Sequence, residues 1–151
     1  SALYPSDPSS VEALDTSLHG QDLKNQEYVK YDLSGKDLGA ADFTGSYFSV
    51  SSLKNSDLTG ANMTNVIAYA TRFDNANLTN VNLTGAELLK SVFDGATIDG
   101  TDFTDAVLDR SQQKNLCKVA TGNTADSLGC STTSAGYVPA SKGQNTFNPG
   151  T

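Results

Sequence analysis

Large apolar residues recur at every fifth position through most of this chain. The run begins at Leu23, ends at Leu108 and contains no insertion. Helices repeat every 3.6 residues and strands every two, so a period of five fits neither element alone. The central positions are Leu23, Tyr28, Leu33, Leu38, Phe43, Phe48, Leu53, Leu58, Met63, Ala68, Phe73, Leu78, Leu83, Leu88, Phe93, Ile98, Phe103 and Leu108. The pattern predicts a repeat protein in which each unit adds one large side chain to a common core.

A second restricted position stands two residues before each centre. From Ala41 to Ala106 it holds only Ala, Ser, Thr or Val, and Asp or Asn often follows it. Residues 41–45, 76–80 and 101–105 show the unit plainly. The unit thus combines one large and one restricted small residue, and burying each Leu or Phe would contribute roughly 1.5–3 kcal/mol.

This unit resembles the motif of the pentapeptide-repeat family, which is a small residue, Asp or Asn, Leu or Phe, and two polar residues. The resemblance covers residues 21–110, or about 90 of 151 residues. It implies an all-β solenoid, a right-handed quadrilateral β-helix of about four to five coils. With one unit per side, residues twenty apart become vertical neighbours about 4.8 Å apart.

The first units depart from the motif. Gln21, Gln26, Tyr31 and Lys36 stand at inward small positions, where Tyr and Lys are too large. We therefore expect an irregular first coil, with regular stacking beginning near Leu38.

Both ends of a solenoid need caps, because an open end exposes unpaired backbone groups. Residues 1–20 are predicted to form an N-terminal segment with a short capping helix. Residues 111–130 are predicted to form a helical C-terminal cap, with helical turns over 111–120 and 124–128. The Gly, Ser and Thr content of 131–151 predicts a loosely structured tail.

The two cysteines, Cys117 and Cys130, lie in the predicted cap. From the residues alone, they are either a disulfide worth roughly 3 kcal/mol or two reduced thiols. Segments 106–110, 115–118 and 127–130 resemble the C-terminal ending of pentapeptide-repeat proteins from the thylakoid lumen of plants and cyanobacteria. That resemblance implies a Cys117–Cys130 disulfide and a chloroplast thylakoid-lumen location, with the transit peptide absent from this chain.

Charge and composition restrict the binding partners. The net charge is −7 and the pI about 4.4, which disfavours binding to nucleic acid or anionic lipid. No apolar run approaches 18 residues, so we expect no membrane insertion. We also expect a monomer.

Catalytic chemistry has little basis in this sequence. His19 is the only histidine and is expected to be a solvated linker residue before the regular coil. No phosphate-binding loop or paired Cys-x-x-Cys motif occurs, so we expect no catalytic residue and no cofactor. Calcium could bridge the oxygens of one Asp/Asn column, but bonding to nearby backbone is the simpler role, and we expect no metal. That column contains Asp22, Asp42, Asn62, Asn82 and Asp102.

One side of the tube has unusually apolar outward positions. An exposed apolar patch usually marks a contact site. The alternative is that the chain's own tail covers it, through Tyr137, Val138 or Phe147. The partner-binding candidates are Tyr47, Ile67, Tyr69, Leu89 and Val107.

The sequence therefore predicts a non-catalytic scaffold that docks an unknown protein partner through a side face. One alternative is an acidic DNA mimic that acts on a topoisomerase. Another is a redox-sensitive lumenal protein switched through Cys117–Cys130 by a thioredoxin-like partner.

Overall fold

A computed structural model describes residues 17–133, 136–139 and 146–147. Backbone bridges join residues twenty apart along the coil region, from Asp22–Asp42 to Asn82–Asp102. Each residue thus lies over the one twenty positions earlier, and four five-residue sides make one coil. This register confirms the stacking of residues twenty apart that the family resemblance implies.

The core is a column of large side chains enclosed by the coils. The central side chains are buried, apart from Phe93, which is half-buried. The ring of Phe48 stacks on Tyr28 at a centroid distance of 4.7 Å. Inward hydroxyl groups bond to the coil below, since Ser51 Oγ donates to the Tyr28 carbonyl at 2.7 Å. Small hydroxyl residues therefore fill the second inward position without leaving an unpaired polar group.

The first coil is regular, which corrects the expectation of an irregular one. The Leu18 amide donates to the Asp37 carbonyl at 3.0 Å, and the Leu23 amide to Asp42 at 2.8 Å. Tyr31 fits inside, with its ring edge-on to Tyr28 at 5.9 Å. Within the described chain no coil lies beneath this layer, so a larger inward side chain finds room there. Regular stacking begins at Leu18 rather than near Leu38.

On most sides, successive coils pair through a single β-bridge, but on one side they form three-residue β-strands. These are β1 (Glu27–Val29), β2 (Tyr47–Ser49) and β3 (Ile67–Tyr69), which pair in parallel and in register. Bridges from Ile67 to Glu87 and from Glu87 to Val107 continue the same side. A short β4 (Leu108–Asp109) continues it.

Two helices close the C-terminal end. Helix α1 (Arg110–Cys117) begins at Asp109, whose carboxylate accepts from the Gln112 amide at 2.7 Å. Helix α2 (Gly122–Leu128) ends at Gly129, which has the left-handed φ of 73°. Both match the helical cap predicted from the sequence.

A disulfide joins Cys117 to Cys130 across the cap, with a Cα–Cα distance of 5.7 Å. Cys117 is fully buried and Cys130 is half-buried. A cavity of about 520 Å³ lies between Phe93 and α1.

Short strands lie beyond the disulfide, in the segment for which the composition predicts a loosely structured tail. Strand β5 (Cys130–Thr133) pairs antiparallel with β6 (Gly136–Pro139), and β7 (Thr146–Phe147) pairs in parallel with β4. The predicted N-terminal helix lies outside the described residues. No helix in the described part of the chain is long and apolar enough to cross a membrane.

Candidate protein-docking face

The candidate docking face, called the docking face below, is the side of the coil that carries β1, β2 and β3. Its inward residues fill the core, so alternation along each strand turns the flanking residues outward. The apolar residues that this places on the surface are Val29, Tyr47, Val50, Ile67 and Tyr69, with Leu89 and Val107 half-buried beside them.

Three of the five predicted contact residues are well exposed. Tyr47 is 37% exposed, Ile67 38% and Tyr69 49%. Leu89 and Val107 lie on the same face but are half-buried. Because bridges join Tyr47, Ile67 and Val107 into one column, the structure brings the predicted residues together.

Sequence reasoning missed Val50, which stands at the corner beside β2. It is 53% exposed and has a φ of 52°, in the left-handed region. A β-branched residue is a true outlier there, and such strain costs roughly 1–3 kcal/mol. The available signal was its position in the repeat, since Gly or Asn fills most of the equivalent corner positions on the other sides and Val50 is the one β-branched residue among the described corners.

Charged residues lie on the same side of the coil, at the levels below and above the most exposed apolar residues. Glu27 and Glu87 stand in the column before the inward residues, and Lys30 and Lys90 stand at the following corner. All four are exposed. We call the column with Glu27 and Glu87 the acidic edge and the column with Lys30 and Lys90 the basic edge; Tyr47, Val50, Ile67 and Tyr69, at the two levels between those charges, form the apolar centre.

The Asp/Asn column on a neighbouring side serves the turns of the coil. Asp42 Oδ1 accepts from the Thr44 amide at 3.0 Å and from the Thr44 hydroxyl at 2.6 Å. Burial tends to raise the pKa of Asp42, but these hydrogen bonds hold it below its ordinary value. Asn62 makes the same two contacts with Thr64. Within the described residues, no cluster of His, Cys, Asp or Glu could hold a metal ion.

His19 lies within the first coil, which corrects its expected place in a linker before the coil. Its Nδ1 is 3.1 Å from Asp37 Oδ1. A hydrogen bond from the Gly39 amide lowers the pKa of the Asp37 carboxyl most, and a hydrogen bond with the His19 side chain lowers it further. Asp37 also accepts from the Ser17 hydroxyl, so these polar groups stabilise the start of the coil.

Comparisons with known proteins agree with this architecture. A family model for pentapeptide repeats matches residues 32–67 and 71–110 with eight copies. A solved pentapeptide repeat protein from the Arabidopsis thaliana thylakoid lumen is 35% identical, with a TM-score of 0.51. The similarity covers 74% of this chain and 86% of that one.

Two cyanobacterial pentapeptide repeat proteins are more distant. One from Cyanothece is 26% identical, covering 58% of this chain and 64% of its own, with a TM-score of 0.33. One from Nostoc is 22% identical, covering 69% of this chain and 84% of its own, with a TM-score of 0.41. No significant match is found among curated protein sequences.

Proposed function

Because the chain belongs to the pentapeptide-repeat family, we propose that it is a non-catalytic module that binds a protein partner through the docking face. Pentapeptide-repeat proteins form right-handed quadrilateral β-helices, and this one would contain about four to five coils. A rigid stack of this kind presents side chains at fixed spacings, which suits a binding surface.

The observation that carries the proposal is the pairing of strain and exposure at Val50. Its left-handed backbone lowers the stability of the fold, and its apolar side chain lies half in water. Neither property helps the isolated chain to fold. Strained backbone often accompanies function, and exposed apolar clusters often mark contact sites. Val50 adjoins Tyr47 and Tyr69, so all three would meet the same partner.

The thylakoid lumen is the proposed location. The 35% identical Arabidopsis thaliana protein comes from that compartment. The Cys117–Cys130 disulfide is consistent with an oxidising environment, since disulfides are rare where thiols are kept reduced.

Site-specific photo-crosslinking in a lumen extract tests the docking proposal. We expect a photoreactive residue at Ile67 to crosslink a defined protein, identified by mass spectrometry. Tyr47→Ser combined with Tyr69→Ser should abolish that product. A photoreactive residue at Asn77, which is exposed on the opposite side of the coil, is the control. Identical products from both positions, or products indifferent to the tyrosine changes, would refute docking through this face.

A redox role is the second candidate, supported by the accessibility of one sulfur. Cys130 is half-buried whereas Cys117 is fully buried, so a thioredoxin-like dithiol would attack Cys130 first. DNA mimicry has weaker support, because a phosphate-like surface would be uniformly acidic. Lys30 and Lys90 are exposed along one edge of the docking face.

A further inference from the structure

The distribution of charge on the docking face points to a second copy of this chain as its partner. We propose that two copies pair through their docking faces, side by side, with their coil axes parallel. The inference rests on the proposed function, because it names the partner of the same face.

The two charged edges run parallel to the coil axis. Bridges fix the acidic edge as the column through Glu27, Tyr47, Ile67, Glu87 and Val107. The basic edge follows the corner column of Lys30, Val50, Ala70 and Lys90, in which the amides of the first three residues donate to carbonyls of the level above, as the Val50 amide does to Tyr69. Glu27 and Lys30 therefore lie at one height, and Glu87 and Lys90 at another.

The direction of the two-fold axis decides whether opposite or like charges meet in the dimer. A two-fold axis parallel to the coil exchanges left and right, so the acidic edge of each copy meets the basic edge of the other. Glu27 then faces Lys30 of the second copy, and Glu87 faces Lys90 of the second copy, each twice. A two-fold axis across the coil places each edge against itself, which brings like charges together and is unfavourable.

The same parallel arrangement pairs the apolar centre. Ile67 of each copy lies opposite Tyr69 of the other, because these residues flank the same inward position, Ala68. Both side chains are exposed in the single chain. Pairing removes them from water, and the contact of an aromatic ring with a β-branched side chain is favourable.

The face is too small for a permanent dimer. Five stacked levels at strand spacing give a height of only about 24 Å, and a face of one coil side buries less than the ~1,200 Å² of a standard interface. The pairing is consequently weak. Single chains prevail at low concentration, in keeping with the monomer expected from the sequence, and dimers form as concentration rises.

Sedimentation velocity over a concentration series of the full chain tests the pairing. We expect the sedimentation coefficient to rise with concentration. Glu87→Lys or Lys90→Glu alone should each weaken the dimer roughly tenfold, as expected when two exposed attractions become repulsions. The double change Glu87→Lys with Lys90→Glu should restore it. Asp99→Lys, an equal charge change at an exposed residue of another side, should leave association unchanged.

Two results would overturn the pairing. Tighter association after either single reversal would mean that like edges face each other. A monomer at every concentration would exclude a second copy as the partner, and a Tyr47- and Tyr69-dependent crosslink from Ile67 to a different protein would then leave the docking function intact. Loss of both the dimer and every such crosslink would refute the function as well.

Discussion

Corner residues meet the strictest backbone demand of the coil. One corner column consists of Gly20, Ala40, Gly60, Asn80 and Gly100, all with positive φ. A Cβ at Gly100 would collide with Asn80 Oδ1 and lie 3.2 Å from Asn80 Cγ. A Cβ at Gly60 would meet nothing within 4 Å. Within a single column, a Cβ would thus require Asn80 to move at one level, whereas at another only the left-handed backbone disfavours it.

Comparing the stability of Gly60→Ala with that of Gly100→Ala separates the cost of a left-handed backbone from the cost of the steric contact with Asn80. Gly60→Ala should lower the free energy of unfolding by about 1 kcal/mol, the cost of a left-handed Ala. Gly100→Ala should cost at least about 1 kcal/mol more, because Asn80 must leave its rotamer. Urea unfolding measures both, and adding Asn80→Ala to each variant tests the coupling. Equal losses in the two single variants would show that Asn80 imposes no steric limit.

Val50 should show a trade-off between stability and docking. Asn tolerates the left-handed region far better, so Val50→Asn should raise the free energy of unfolding by about 1 kcal/mol. The same change should weaken crosslinking from Ile67, because it removes apolar surface from the docking face. Thermal unfolding and crosslinking measure the two effects. A destabilised Val50→Asn variant would mean that Val50 is held by packing rather than retained for contact.

At the scale of elements, the C-terminal cap is joined to the last coils by side-chain contacts that the repeat pattern does not reveal. The Gln112 side-chain Nε2 donates to the Leu88 and Ser91 carbonyls at 2.6 and 2.8 Å. The Ser127 hydroxyl accepts from the Phe103 amide at 2.9 Å. These bonds satisfy coil groups that have no further coil to pair with. The disulfide then ties the end of α1 to the strand after α2.

Reducing the disulfide should loosen this cap. Since the bridge closes a span of thirteen residues, a loss of roughly 3 kcal/mol in the free energy of unfolding is expected from chain entropy. Far-ultraviolet circular dichroism with and without a dithiol reductant measures the melting temperature. Cys117→Ser with Cys130→Ser, which reductant cannot affect, is the control. A melt unchanged by reduction would contradict both a structural and a switching disulfide.

The sequence predicts the elements that depend on periodicity and fails where the repeat ends. The centres from Leu23 to Leu108 were identifiable because each must enter the same narrow core. Tyr31 led us to expect an irregular first coil, which was wrong. Inward side chains must be small only where a coil lies both above and below them. The strands β5 to β7 have no repeat to reveal them, and their pairing depends on contacts distant in sequence. Likewise, only the fixed coil frame identifies Val50 as strained.

At the scale of the whole molecule, the carboxylates that support the coil share one direction of pKa shift. The Thr104 hydroxyl holds the pKa of Asp102 below its ordinary value of 3.8, despite partial burial. A hydrogen bond from Arg72 does the same for Asp74. A pKa lowered by folding stabilises the protein above the unfolded value, and the gain is lost as pH falls through the folded value.

Acid should therefore destabilise the solenoid. The urea midpoint is expected to be steady near neutral pH and to fall below about pH 4, as these carboxylates become protonated. Asp102→Asn should reduce that fall and slightly lower neutral stability, because the gain from the ionised carboxylate is then missing at every pH. Asn82, in the same column, already supplies an uncharged Oδ1 to the Thr84 amide at 2.9 Å. An acid dependence that is the same in Asp102→Asn and the parent would exclude Asp102 as a contributor.

The twenty-residue register also determines which insertions and deletions the solenoid can accept. A regular coil hydrogen-bonds to the levels directly above and below it, as Asn62 bridges only to Asp42 and Asn82. Duplicating or excising one complete turn of chain leaves every remaining level with equivalent neighbours, whereas a change of ten residues rotates all later sides by half a turn. Evolution can thus extend or shorten this surface in whole turns while its columns stay aligned.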